Sequence, residues 1–243
     1  MAATAKPDGY TISHIPITVF RLASMQKTTY DPLRDFTYII QLSGFALATA
    51  VLADGAFKTW QDVIDFARAN PGKFTYASPG VASTPHLGME MIAAREGVRF
   101  LHVPTKGVSE SQSAVLGGHV MLIAETTTFR PLVDAGQFRA LNVWGSQRLK
   151  AWPDVPTLQE LGYPFVFDSP YGLAGPKGMD PSIVKKLHDA FKTALEDSSV
   201  LAVLAKFDKP PRYMNSADYS ASVVKLVAQE RAGLELAGLQ KKD

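Results

Sequence analysis

The stretch YASPGVASTPHLG, Tyr76 to Gly88, concentrates small hydroxyl side chains and carries no acidic residue, lysine or arginine. It lies between a predicted strand and a predicted helix, so Ser78, Ser83 and Thr84 come next to a helix start. Unpaired N–H groups and a partial positive charge at such a start attract anions. Gly80 lets the backbone approach a ligand closely. The stretch therefore predicts a site for a small anion, such as a carboxylate, that needs no charged side chain.

The same residues also have a structural interpretation. Ser83 or Thr84 suits the N-cap of the following helix, and Pro85 suits its first helical position. His86 belongs to a residue type that is more often a hydrogen-bonded structural histidine than a ligand or a base. Capping and anion binding both stay open from these residues alone.

Other chemistry has less support. Ser78 and His86 share one loop, but no third member of a catalytic triad can be named and no G-x-S-x-G motif is present, so a hydrolase is disfavoured. The chain has no cysteine, no His-x-x-x-His spacing and no glycine-rich nucleotide motif. Lys106, beside Gly107, could bind phosphate or form a Schiff base, although a solvated loop lysine is favoured. We therefore expect no enzyme activity, no cofactor and no metal.

Composition limits the class of protein further. The chain has 243 residues, 46% of them hydrophobic, and a formal net charge of +2. Its basic residues are scattered, which disfavours nucleic-acid binding. No apolar run is long enough for a membrane span, and the N-terminus does not have the pattern of a signal peptide. The sequence is expected to be either cytosolic or part of a longer gene product.

Strand and helix patterns alternate along the chain, which predicts an α/β fold with a parallel or mixed sheet. In such folds, ligands bind beyond the carboxyl ends of strands. The predicted strands are 10–15, two between 35 and 53, 73–78, 98–104, 119–125, 138–145 and 166–176. The predicted helices are 59–70, 85–97, 108–118, a helical turn at 129–136, 180–197 and 216–239.

Seven motifs in one fixed order resemble a known family. They are PDGYT (Pro7 to Thr11), YDPLRDF (Tyr30 to Phe36), ANPGKFTYASPG with a following histidine (Ala69 to His86), HVPTKG (His102 to Gly107), LGGHV (Leu116 to Val120), WPDVPTLQELGYP (Trp152 to Pro164) and YGLAGPKGM (Tyr171 to Met179). Together they resemble the periplasmic solute-binding proteins of tripartite tricarboxylate transporters, the Bug or TctC-like proteins. The resemblance covers nearly the whole chain.

The resemblance implies a two-lobed "Venus flytrap" fold that closes on a small carboxylate and delivers it to the membrane components of a transporter. The expected first lobe comprises residues 1–101 and 214–243, and the second comprises 102–213. The chain would cross between them near Leu101 to Thr105 and again late in the sequence. The last helix would pack back on the first lobe.

The resemblance also implies a set of ligand contacts. One loop of the family's carboxylate clamp matches residues 78–86, and further contacts match a loop at 13–17 and positions in the second lobe. The implied residues are Ser13, His14, Ser78, Gly80, Ser83, Thr84, His86, Thr105, Lys106, Gly107, Glu125 and Thr126.

Some features depart from the family pattern. Thr105 stands where an aromatic residue is common, and Glu125 stands where Asp or a neutral residue is often found. Glu125 would repel a second ligand carboxylate unless it is protonated or bridged by water, or it could accept a hydrogen bond from a hydroxyl, amide or amine. A solvent-exposed strand end is an equally open interpretation.

Family members have a first strand, a glycine-rich loop and a helix before PDGYT, and this sequence does not. We therefore expect a first lobe that lacks its opening strand and helix, and a homodimer formed through residues Tyr10 to Val51, because exposed sheet edges pair with other chains. The alternative function is a truncated remnant or interaction protein with impaired ligand binding. Location in the periplasm is expected from the resemblance alone.

Overall fold

The computed structural model describes residues 2–167, 169–206, 209 and 211–239. Its elements are, in chain order, β1 (Ser13–His14), α1 (Ile17–Met25), β2 (Phe36–Phe45), β3 (Leu47–Leu52), α2 (Trp60–Ala69), β4 (Phe74–Ser78), α3 (Thr84–Glu96), β5 (Phe100–Pro104), α4 (Val108–Leu116), β6 (Leu122–Thr126), α5 (Arg130–Asp134), β7 (Phe138–Val143), β8 (Ser169–Pro176), α6 (Pro181–Glu196), α7 (Ser198–Lys206), β9 (Pro211–Met214) and α8 (Ser216–Leu236). Short 3₁₀ turns occupy Ala2–Thr4 and Thr127–Phe129.

The chain forms two compact units, residues 1–45 with 169–243, and residues 46–168. The first unit has a four-stranded sheet in the order β1-β8-β2-β9, with antiparallel pairing throughout. The second unit has a five-stranded mixed sheet in the order β5-β4-β6-β3-β7. In it, β4 runs parallel to both β5 and β6, whereas β3 runs antiparallel to β6 and β7. The predicted α/β class is confirmed.

The unit boundaries differ from the expected lobes. The expected crossing near residues 101–105 lies within β5 and just after it, and β5 pairs along its whole length with β4 inside the second unit. The chain instead passes between units at 45/46 and 168/169. Alternating strand and helix patterns predict layers, but strand pairing is a long-range property that the patterns do not carry. No local sequence pattern therefore marks the boundaries between the two units.

Helix α2 shows how local sequence forms an element. Thr59 accepts a hydrogen bond from the backbone N–H of Asp62, whose side chain accepts from the backbone N–H of Thr59 in return, which completes a capping box. The buried residues of this helix are Trp60, Val63, Ile64 and Ala67, spaced for one apolar face. The helix predicted at residues 59–70 is thus confirmed.

Each unit has an apolar cluster on both faces of its sheet. In the second unit, the clusters centre on Trp60 and Tyr76 on one face and on Ile123 and Phe129 on the other. In the first unit, α8 packs against α1 and β2 through Tyr219, in agreement with the expected position of the last helix. The second cluster of this unit lies between the sheet and α6.

Several elements were missed or misjudged. The predicted strand at 10–15 is a pair of residues, Ser13–His14, and Pro85 is the second residue of α3 because the helix begins at Thr84. Helices α1 and α7 and strand β9 were not predicted. Within the described part of the chain, no helix combines the length and the apolar character needed to cross a membrane.

Candidate functional site

The second unit gathers ten of the twelve predicted contact residues at or just beyond one edge of its sheet. Strands β4, β5 and β6 are parallel neighbours, so their carboxyl ends share that edge. Ser78 ends β4, Thr105 follows β5, and Glu125 and Thr126 end β6. Gly80, Ser83, Thr84 and His86 follow β4, and Lys106 and Gly107 follow β5. This is the edge at which ligands bind in parallel α/β sheets.

The loop from Ser78 to His86 has an unusual backbone. Gly80 has a φ of 101° and Ala82 has a φ of 64°, the only non-glycine positive φ in the described part of the chain. The N–H of Ala82 donates to Nδ1 of His86 over 3.2 Å, which ties the loop to the first turn of α3. A neutral His86 therefore carries its proton on Nε2, 4.0 Å from Oε1 of Glu90. This structural role of His86 agrees with the second interpretation of the sequence.

Ser78 and Ser83 belong to one hydrogen-bonded chain. Oγ of Ser78 lies 2.7 Å from Nε2 of His102 and 3.3 Å from Oγ of Ser83. Ser83 is the N-cap of α3 and accepts the backbone N–H of His86 over 3.3 Å. If Nε2 of His102 accepts, both hydroxyl protons point into the protein. If it donates, the Ser78 hydroxyl can donate elsewhere, so the tautomer of His102 decides what the loop offers a ligand.

His102 is a neutral base in this arrangement. Burial, with a smaller contribution from His86, lowers the pKa of His102 to about 4. Its ring stacks between Tyr76, at 4.9 Å, and His86, at 4.1 Å between ring centroids. The Tyr76 hydroxyl donates to Glu90 over 2.8 Å. The stack holds His102 where it can orient Ser78.

Thr84 is the hydroxyl in this loop that the protein leaves unused. It is 3% exposed, and its Oγ1 has no hydrogen-bond partner among the described residues. The backbone N–H groups of Val81 and Thr84 likewise have no partner in that part of the chain, whereas those of Gly80, Ala82, Ser83 and His86 bond to protein atoms. The first residue of a 13-residue helix thus presents unsatisfied donors.

Thr105 acts inside the protein. Its backbone N–H and its Oγ1 both donate to the carbonyl oxygen of Ser78, over 2.9 and 3.0 Å, and Oγ1 also lies 2.7 Å from Oγ of Ser111. The exposed Lys106 donates its backbone N–H to Glu110, and the carbonyl of Gly107 accepts from Ser111 at the start of α4. These residues fix the end of β4 relative to the loop after β5.

Glu125 is a buried carboxyl group at the end of β6. It is 1% exposed, Oε2 accepts the backbone N–H of Thr126 over 2.7 Å, and Oε1 has no partner among the described residues. Burial raises the pKa of Glu125 to about 7, against the opposing effect of the Thr126 hydrogen bonds. The interpretation as a solvent-exposed strand end is wrong, because the residue is buried.

Ser13 and His14 lie in the first unit, on edge strand β1. The Ser13 hydroxyl donates to the carbonyl of His14, and the His14 ring stacks on Tyr171 at 4.2 Å. Burial and the charge of Lys209 lower the pKa of His14, and a hydrogen bond to the backbone of Pro170 opposes them. Nε2 of His14 is buried without a partner in the described chain.

His102 and Tyr76 had no role predicted from the sequence. Both stand in motifs that were recognised, but their roles depend on the pairing of β4 with β5, which places Tyr76 opposite His102. A histidine two residues before a proline in a predicted strand was the available signal. In the described residues, no group of three or more His, Asp or Glu side chains is arranged to hold a metal ion.

The chain matches a known family over nearly all of its length. The sequence profile of the Tripartite tricarboxylate transporter family receptor, TctC, matches residues 1–239. The chain belongs to this family. It is similar to the UPF0065 protein in the gbd 5' region of Cupriavidus necator, with 48% identity over 99% of this chain and 74% of that protein. It is also similar to Protein BugT of Bordetella pertussis, with 30% identity over 84% of this chain and 64% of BugT.

Solved structures share the fold. A periplasmic transporter has 29% identity and a TM-score of 0.89 over 96% of this chain and 80% of its own. The periplasmic binding protein BugD and an R. palustris protein with adipate each have 25% identity and a TM-score of 0.90, over 99% of this chain and 82% of theirs. The TctC member described here thus has the periplasmic-binding-protein fold. The family consists of solute-binding receptors and not of enzymes.

Proposed function

We propose that this TctC-family receptor binds a small carboxylate at the carboxyl ends of β4, β5 and β6 and delivers it to the membrane components of a tripartite tricarboxylate-type transporter. Its place of action is the periplasm, where proteins such as BugD work. Support for the ligand class comes from the similar R. palustris protein, which holds adipate. The unpaired hydrogen-bond donors at Thr84 independently support a carboxylate ligand.

The observation that carries the proposal is the unsatisfied start of α3. A buried hydroxyl without a partner costs about 1–3 kcal/mol, and Thr84 has such a hydroxyl beside unpaired N–H groups. A carboxylate can accept hydrogen bonds from these donors together, and the partial positive charge of the helix start favours its negative charge. No positively charged side chain is needed for this contact.

The remaining predicted contacts complete the proposed site. Ser78 and Ser83 shape the loop and contact the ligand when the His102 tautomer allows, and Gly80 permits close approach of the backbone. A protonated Glu125 donates to a distal acceptor on the ligand, with Thr126 beside it. The further proposed contacts in this unit are His86, Thr105, Lys106 and Gly107.

The proposal is tested by replacing Thr84 with valine, which keeps the shape and removes the hydroxyl. Thr84→Val is expected to stabilise the ligand-free protein, because an unsatisfied buried group is removed, and to weaken adipate binding. A hydrogen bond to a charged group is worth about 1.5–3 kcal/mol, so the loss is about ten- to a hundredfold in affinity. Isothermal titration calorimetry with adipate, in a buffer without carboxylates, measures this loss of affinity.

Thr84→Ser is the matched control, because it keeps the hydroxyl and is expected to bind adipate nearly as wild type. Opposite signs for stability and affinity in the valine variant separate a lost contact from misfolding. Unchanged adipate affinity in Thr84→Val contradicts the site. If neither adipate nor malate raises the melting temperature of the wild type, the alternative of a remnant with impaired binding is favoured instead.

Self-association through residues Tyr10 to Val51 stays a prediction. Within this range, β2 and β3 are each paired on both sides, so an exposed strand edge is confined to β1. Size-exclusion chromatography with light scattering measures the oligomeric state of the protein. A dimer that persists when His14, whose backbone N–H points away from β8, is replaced by proline excludes pairing through β1.

A further inference from the structure

The carboxyl group of Glu125 lies at the edge of the sheet where the ligand is proposed to bind. Ala77 on β4 pairs with Ile123 on β6, and both strands run in the same direction. Two residues further along each strand, Glu125 lies beside Pro79, the first residue of the loop after β4. Neighbouring strands are about 4.8 Å apart. A ligand held by this loop therefore comes close to Glu125.

The carboxyl group is turned along β6 towards that edge. Its Oε2 accepts the backbone N–H of the next residue, Thr126, over 2.7 Å, and the Thr126 hydroxyl lies 3.4 Å away. Its Oε1 is buried and has no hydrogen-bond partner among the described residues. One carboxyl oxygen of Glu125 is thus left for a group that the ligand brings.

No cation balances a negative charge on Glu125 in the described part of the chain. Burial raises its pKa to about 7, hydrogen bonds from Thr126 oppose this, and no charged side chain contributes. The titratable residues on the elements next to β6 or just after it are Tyr76 on β4, Glu110 on α4, and Arg130 and Asp134 on α5. Tyr76 packs on the opposite face of the sheet, and Glu110 is exposed. Arg130 and Asp134 pair with each other over 3.3 Å.

A ligand carboxylate beside Glu125 changes the ionisation of this residue. Two neighbouring negative charges without a cation repel each other, so the ionised form of Glu125 is disfavoured further when the ligand is bound. The protonated form, in contrast, donates a hydrogen bond from Oε1 to the ligand carboxylate. Ligand binding and protonation of Glu125 therefore favour each other.

We propose that a dicarboxylate binds this receptor together with one proton, which Glu125 takes up from solvent at a pH where the ligand-free protein has lost it. This inference rests on the proposed carboxylate site in the second unit. It adds the substrate class, a dianion that accepts a hydrogen bond from Glu125. A rise in pH then weakens loading of the receptor, and a fall in pH strengthens it.

Isothermal titration calorimetry of the full chain with adipate, in buffers that differ in ionisation enthalpy, counts the protons taken up. At pH 8, about one proton is expected per adipate, and above the folded pKa of Glu125 the affinity should fall about tenfold per pH unit. Glu125→Gln keeps a hydrogen-bond donor and cannot titrate. It is expected to take up no proton and to bind adipate about tenfold more tightly than wild type at pH 8, because the folded pKa of about 7 lies below that pH.

Glu160→Gln is the matched control, because this exposed carboxyl group lies in the same unit and hydrogen bonds from Arg148 lower its pKa. It should keep the proton uptake of wild type. Adipate binding without proton uptake at pH 8, or an uptake that persists in Glu125→Gln, overturns this inference and leaves the proposed site standing. A wild type that binds adipate at no pH overturns the site and the inference together.

Discussion

The buried carboxyl group of Glu125 predicts an unusual pH dependence of stability. An ordinary glutamate pKa of 4.5 is raised to about 7 in the folded chain because the group is buried. One pKa unit corresponds to about 1.4 kcal/mol, so ionising Glu125 costs the folded state roughly 3 kcal/mol. The side chain is 1% exposed, so solvent screening does not reduce this cost much.

The sign follows from proton binding. Between pH 4.5 and about 7 the folded state holds a proton on Glu125 that the unfolded state has released, so stability falls as pH rises through this range. Below pH 4.5 the stabilisation that comes from the protonated Glu125 is fully present, and above the folded pKa it is lost. Glu125→Gln resembles the protonated form and cannot titrate. Relative to wild type, the variant should gain about 3 kcal/mol in free energy of unfolding between pH 4 and pH 8.

Urea unfolding followed by tryptophan fluorescence is suited to this measurement. The chain has three tryptophans, Trp60, Trp144 and Trp152, and all lie in the unit that contains Glu125. Taking the difference between variant and wild type at each pH cancels other titrating groups. Carboxylate buffers are avoided because they are candidate ligands.

Glu110→Gln is the matched control, because Glu110 is exposed and also accepts a backbone N–H. Comparing the two variants at each pH separates the effect of burial from the loss of a carboxyl group. If the Glu125→Gln difference varies by less than about 0.5 kcal/mol between pH 4 and pH 8, burial of Glu125 does not make its ionisation costly.

Three further substitutions test the packing. Glu230→Ala removes the carboxylate that pairs with the fully buried Arg21 between α8 and α1. The variant is expected to lower the free energy of unfolding by about 3 kcal/mol in urea titrations followed by circular dichroism, and a loss below about 1 kcal/mol would contradict this. Gly88→Ala places a Cβ atom in steric clash with the Trp144 ring, so a cost of about 1–3 kcal/mol is expected by tryptophan fluorescence, and wild-type stability would show that the ring moves freely. Thr59→Ala removes the side-chain cap of α2 and should cost about 1 kcal/mol in the same assay, unless water replaces the cap.

Elements with local signals were predicted to within a few residues. The cap and the buried face of α2 depend on residues within one helix, and Gly97, at a φ of 63°, ends α3 where it was expected. Helix α1 lacks such signals, because Pro16 at its N-cap makes no side-chain hydrogen bond and the helix has no acidic residue in its first turn. Its position is fixed by packing against α8, which is distant in sequence.

The division into two units had no local signal at all. Strands β2 and β3 are separated by Ala46 alone, yet they belong to different sheets. A sequence pattern shows two neighbouring strands and favours pairing them as a hairpin. Strand β2 instead pairs with β8, and β3 pairs with β6. Both partner strands are far along the chain.

The loop at residues 78–86 shows which part of a site can be predicted. Ser83 and Thr84 were both predicted as candidate helix caps, because their hydroxyls are chemically similar. The structure makes Ser83 the cap, because its Oγ accepts the N–H of His86 and joins the chain through Ser78 to His102. Thr84, one residue further along, is then the first residue of the helix with a hydroxyl that the protein does not use. Both earlier interpretations are therefore compatible, since capping engages one hydroxyl and leaves the adjacent one free to bind an anion.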